Sequence, residues 1–370
     1  WVINGKEVAE GKDYAFTQPR VGRYQVSLVD KTSGEKVSKD FSVTARFTSG
    51  AFLLNEGNFG NETGTLTYID ASKQFVLDSA YIRVNGTKLG NVCQDMAFAN
   101  GKVYIISQNG PMNGGEGLLT IADAKTLEKH KVINDAALTK DWPTHIAVIH
   151  SRIYLRGNKG IYRGTEEGSF KLIPGTEKAN KLRMVTIGEL VIATTSTNKL
   201  LVIQDEEVKQ TFTLPEGSPS GLALAPDGQL WLSYSKPNTL AKVSVSASGV
   251  KILDKHTTTQ SLDKKYTATS AIFARANQIF FTEQSSVIYR HDFSTGETKE
   301  IVDVQKVDKQ AKMYYNSLGI DPKTGHIYYA SFDDWSTYKK NVTLVLDHDG
   351  KVLLKREHVN AFPAGFYFIP

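Results

Sequence analysis

The chain has 370 residues, 40% hydrophobic and 22% charged, with a formal net charge of +5 from 44 basic and 39 acidic side chains. Such a composition excludes a disordered chain. Lys and Arg are scattered rather than clustered, which excludes a nucleic-acid-binding stripe. No run of about 18 apolar residues is present, so no transmembrane helix is expected.

A single cysteine, Cys93, excludes a disulfide framework and a cysteine-based zinc site. Trp1 opens the sequence and no targeting segment is visible, so loss of a leader ahead of it is the expectation.

Residues 1–46 read as a small β unit. "WVINGKEV" alternates apolar residues around an Asn4-Gly5 turn, and "GRYQVSLVD" places Tyr24, Val26 and Leu28 on one face. A further strand carries Val37, Phe41 and Val43. The Trp beside "NG" and the later G-x-Y-x-V-x-L strand (Gly22, Tyr24, Val26, Leu28) resemble the C-terminal part of a polycystic-kidney-disease-type (PKD) immunoglobulin-like module. The resemblance implies a spacer.

From Phe47 to Pro370 the sequence repeats. The clearest unit is "SPSGLALAPDGQLWLSYSKPNTLAKVSVSASGVKIL", four short strands with a turn at Asp227-Gly228. Six complete units of roughly 40–50 residues follow this pattern, a period that predicts β-propeller blades. A seventh unit is split. Its first strand is the terminal "AGFYFI" and its other three are "AFLLNEG", "GTLTYIDA" and "QFVLDSAYI". The fold expected is therefore all-β: a seven-bladed propeller over 47–370, closed by pairing the last strand with Phe52–Leu54, behind a small β segment over 1–46. Helical periodicity is almost absent.

With the strands of each blade lettered A to D from the axis outward, the A–B and C–D turns are short, as at Asn100-Gly101 and Asp349-Gly350. The B–C and D–A connections are longer and share the opposite face. Long loops on a rigid scaffold are where binding residues concentrate. On or beside these loops fall Trp142, Tyr234, Tyr314, Tyr315, Phe332, Trp335, Tyr338 and Phe362, together with the amides Asn58, Gln108 and Asn109. Aromatic plates with amides suit a bulky, partly apolar ligand or a sugar. Packing between blades is the competing role for any single ring. His145 begins an A strand, and Glu56 and Glu283 end B strands near the channel mouth, completing the candidate ligand-binding set.

Catalytic and metal signatures are missing. The eight histidines form no H-x-x-x-H or HExxH pair. "DHDG" at 347–350 is a hairpin turn without the remaining calcium ligands. There is no G-x-S-x-G elbow, and "NGGEG" at 113–117 opens no helix. No catalytic residue, metal or cofactor is expected. Glu56 and Glu283 would be the pair to examine if acid–base chemistry were present.

"FLLNEGNFGNETGTLTYID" (52–70), "YIRVNGTKLGNVCQDM" (81–96) and the closing "PAGFYFIP" resemble YncE-like, YVTN-repeat-like propellers, surface lipoproteins of gut Bacteroidetes. That family includes a cobalamin-binding protein that caps an outer-membrane vitamin B12 transporter. The resemblance implies a non-enzymatic, lipid-anchored protein of the cell surface or outer membrane. It would capture a corrinoid or similar nutrient for a TonB-dependent outer-membrane transporter. An adhesion or carbohydrate-binding role, with a glycan as ligand, is the alternative, and a propeller lactonase or lyase a third reading.

Overall fold

In a computed structural model of the chain, the residues described are 1–16, 22–43, 46–215, 217–263, 270–283, 285–313, 315, 318–359 and 362–370; Tyr314 lies outside them. Among the described residues, eight four-stranded antiparallel sheets account for the strands. The first belongs to the N-terminal segment, where Val2–Ile3 pairs with Lys6–Glu7 and with Gly22–Val29, and the latter with Lys36–Val43. Asn4 and Gly5 both take positive φ (46° and 82°), the backbone a two-residue hairpin requires.

The other seven sheets are the blades of a propeller. Numbered from the first complete unit, their A strands are Asn91–Ala99, His145–Ile149, Val185–Ile187, Ser218–Leu224, Ile272–Arg275, Leu318–Ile320 and Pro363–Phe368. Each A strand contacts that of the next blade, and Pro363–Phe368 contacts Asn91–Ala99, so the ring closes. Closure proceeds as expected from the sequence. Phe366 pairs with Leu53 and Tyr367 with Phe52, and the strand completes a sheet with Ala51–Asn55, Thr65–Asp70 and Phe75–Leu77.

Burial is greatest in the B strands, lower in the A strands that line the channel, as over Ile272–Arg275, and lowest at the rim. B strands such as Leu230–Ser235 and Ile327–Phe332 are buried at every position, because neighbouring blades cover both faces. D strands such as Glu207–Thr213 alternate exposed and half-buried, because only one face is covered. Blades approach most closely where side chains vanish. A Cβ on Gly319 would lie 2.6 Å from that of Phe366, so glycine there lets blades six and seven pack.

One expected strand is shorter than its apolar run. "QFVLDSAYI" is strand only over Phe75–Leu77, and Ala80–Asn85 is a helical turn. Tyr81 and Val84 are buried from that turn, and Gly86 ends it at φ 69°. Three buried residues, Ala80, Tyr81 and Val84, compete successfully with strand propensity here, and a C-cap glycine supplies the stop.

Candidate functional site

Five rings meet on the B–C/D–A face where blade six joins the closing blade. Phe362, in the connection to the last strand, stands at their centre. Tyr338 stacks on it at 4.7 Å and 18°, and Phe332, Trp335 and Tyr315 lie at centroid distances of 5.6, 5.7 and 6.4 Å. Trp335 also packs edge-on against Phe332 (5.2 Å) and Tyr315 (6.2 Å). Phe332 is buried at the end of its B strand and anchors the group. Trp335 remains 45% exposed. Phe362 holds φ at 52°, an uncommon backbone for a bulky residue.

Loop polarity orders this cluster. Asp334 accepts from Ser336 N (2.9 Å) and Oγ (2.6 Å), and Asp333 pairs with Lys312 (2.7 Å). The carboxylates are thereby used to set the loop that lifts Trp335 outward.

Beneath the rings lies Glu56. The Tyr315 hydroxyl donates to its Oε1 at 2.6 Å. Its backbone N–H donates to Phe362 O (2.7 Å), and its carbonyl accepts from Cys93 N (3.0 Å). Burial pushes the Glu56 carboxyl up to about 7, against the pull of Tyr315, Lys181 and Gln94. Lys181 is held below its usual value by burial. It and Arg156, whose guanidinium donates to Ala179 O at 3.2 and 3.1 Å, bring cations to the mouth. Neither was marked by the sequence: each is a lone base in a loop or strand, and only ring closure brings Lys181 near Glu56.

The remaining candidates scatter. Asn58, Asn91 and Asn109 form one internal network: Asn91 Nδ2 donates to Asn58 O (2.9 Å) and Asn109 Nδ2 donates to Asn91 Oδ1 (2.8 Å). Asn58 Oδ1 accepts from Gly60 N at 2.9 Å. Gln108 is buried on the adjoining strand. His145 is fully buried, its Nδ1 3.0 Å from Thr144 Oγ1. Tyr234 is enclosed in the core shared by blades three and four, because its B strand is covered on both faces. Trp142 stands 48% exposed at φ 53° on a different D–A connection. Glu283 accepts from Ser261 N at 2.6 Å and faces the Tyr289 hydroxyl at 3.5 Å, so its contacts fix a loop. The structure thus brings together Glu56, Tyr315, Phe332, Trp335 and Phe362 from the candidate set. Among the described residues, no cluster of three or more His, Cys, Asp or Glu is placed to hold a metal.

The buried ionisable groups predict opposing pH dependences. Glu56 has a folded value raised above its ordinary 4.5, so its contribution to stability is complete below about pH 4.5 and is lost as pH rises through 7. His291 is held below its ordinary 6.5 by burial and by His256, whose Nδ1 lies 2.9 Å from His291 Nε2. Its contribution is complete above pH 6.5 and is lost as pH falls below that. Relative to the native chain, Glu56→Gln is expected to gain stability between pH 5 and 8, by about 3 kcal/mol over the full span. Urea denaturation at each pH reads this directly. A constant difference between the two proteins across that range would show that Glu56 does not titrate in it.

Comparison with known proteins places this architecture. The profile of a family described as a domain of unknown function (DUF5074) matches residues 49–369. No curated protein matches the chain. A quinonprotein alcohol dehydrogenase-like protein from Bacteroides thetaiotaomicron VPI-5482 superposes with a TM-score of 0.69 at 16% identity, covering 100% of this chain and 90% of that one. A protein from Lactobacillus plantarum gives 0.58 at 11% identity, covering 87% and 100%. A functionally unknown protein from Desulfotomaculum acetoxidans DSM 771 gives 0.57 at 11% identity, covering 86% and 99%. At these identities the likeness is one of fold.

Proposed function

We propose that this chain, which belongs to the DUF5074 family, is a non-enzymatic binding propeller that captures a bulky, partly apolar ligand on its B–C/D–A face. The observation that carries the reading is the five-ring cluster around Phe362, with Trp335 half exposed beside the partly buried Glu56–Tyr315 hydrogen bond. A broad apolar surface needs flat aromatic plates, and a few fixed polar groups orient what lies on them. A corrinoid has that chemistry, a large ring system with polar amide edges. In this reading the protein works at the cell surface or outer membrane, lipid-anchored, and passes the corrinoid to an outer-membrane transporter. A glycan, whose C–H faces also stack on Trp, is the competing ligand.

Calorimetric titration with cyanocobalamin, with co-elution followed in the visible spectrum, tests the corrinoid. Neither heat nor co-elution at micromolar protein would remove it, and a glycan array would then decide for or against the competitor. Stoichiometric metal in the purified protein, together with lactone or lyase turnover, would replace the binding reading by an enzymatic one.

The role of Trp335 is separable from its packing. Trp335→Ala is expected to weaken ligand binding by about 2 kcal/mol, because exposed aromatic plates act as anchors. Stability should change by less than about 1 kcal/mol, as for most exposed positions. Phe332→Ala, which empties a buried site, should instead lower stability by about 3–5 kcal/mol. Unchanged affinity in a stable Trp335→Ala protein would end this assignment.

A further inference from the structure

The propeller has a second concavity at the opposite end of its axis. A cavity of about 360 Å³ is lined by A-strand residues and extends to Pro226 and Pro322, both in A–B turns. It therefore faces away from the aromatic cluster. Its volume falls in the range of small-molecule sites. Phe98, Val148, Leu224, Phe273 and Phe368 give it apolar walls that are only partly buried.

Among the described residues, one cation lines this apolar space. Arg183 precedes the A strand of blade three, yet its guanidinium crosses the channel. It lies 4.5 Å over the Tyr367 ring of the closing blade, with Nε 3.3 Å from Asp95 Oδ1 of blade one. Asp95 is otherwise engaged: Oδ1 accepts from Tyr367 (2.7 Å) and Oδ2 from Ile146 N (3.0 Å). Arg183 is not. Its Nη2 is buried and meets no hydrogen-bond acceptor among the described residues, while the side chain keeps 20% exposure. A guanidinium paired with Asp95 on one side but with a nitrogen that meets no acceptor, set among apolar walls, is complementary to an apolar molecule ending in a carboxylate.

We propose that this cavity is a binding site for small amphipathic carboxylates, with the carboxylate on Arg183 and the apolar body along the channel walls. Apolar burial supplies the attraction and Arg183 supplies orientation and selectivity for the anion. The site is independent of the aromatic face.

Decanoate and decanol, titrated calorimetrically into the full chain, test this. Decanoate is expected to bind saturably at one per chain and at least tenfold more tightly than decanol. Arg183→Met should reduce decanoate to the affinity of decanol. Leu224→Trp, which narrows the cavity from its exposed rim, should weaken both ligands and keeps the test intact if Arg183→Met does not fold. Trp335→Ala should change neither. Absence of saturable decanoate binding, equal affinity for the two ligands, undiminished decanoate binding by Arg183→Met, or indifference to Leu224→Trp would each overturn the proposal.

Discussion

Deleting residues 362–370 is expected to unfold the entire ring rather than release a tail. The strand Pro363–Phe368 is the innermost of its blade and is hydrogen-bonded to Ala51–Asn55. Its side chains fill both flanks. Ala364, Tyr367 and Ile369 belong to the core shared with blade one, and Phe366 to the core shared with blade six. Losing one buried large side chain costs about 3–5 kcal/mol, and a folded domain holds only about 5–15 kcal/mol in all. The deletion also leaves the inner edge of Ala51–Asn55 unpaired, which invites aggregation. A graded control is Phe366→Ala, since Phe366 packs edge-on against Tyr328 at 5.6 Å and closely over Gly319. It should cost about 3–5 kcal/mol and still fold. A truncated chain with unchanged melting temperature and no aggregation by light scattering would refute closure as the source of stability.

That closure was legible in the sequence because a propeller is periodic. Six units repeat strand, tight turn and strand, and an aromatic strand left over after them has one place to go. Glycine and asparagine turns were legible for local reasons, as at Asn100 and Gly101, which take φ of 53° and 71°. The aromatic loop was legible from composition: Trp335 amid Ser and Asp has too many polar neighbours to be drawn into a core, and it is half exposed. Tyr234 shows the limit. It lies near the end of a strand beside a loop, as Phe332 does, but its ring is enclosed in the core between blades three and four. No local pattern separates a strand-end ring that turns inward from one that joins a surface cluster. The charged groups of the channel were hidden for a different reason. Arg183, Asp95 and Tyr367 lie in three different blades and meet only across the axis, and a repeat pattern specifies neighbours within a blade rather than partners across the ring.

Those three residues carry the second large expected effect. Asp95→Ala should destabilise the protein by about 3–5 kcal/mol, the usual consequence of removing one partner from a buried ion pair. Asp95 joins four blades. It lies on blade one, accepts from Ile146 N on blade two and from the Tyr367 hydroxyl on the closing blade, and faces Arg183 at the start of blade three. Alanine leaves an amide, a hydroxyl and a guanidinium without their acceptor in a space that water replaces poorly. The double variant Asp95→Ala with Arg183→Met separates charge from packing. Removing the orphaned cation should make the pair no more costly than Asp95→Ala alone, so the two substitutions would be strongly non-additive. Urea denaturation of the two single variants and the double variant completes the cycle. Additive losses would show that Asp95 and Arg183 act independently. A cost for Asp95→Ala below about 1 kcal/mol, the level of an exposed pair, would show that the cross-channel contact does not hold the blades together.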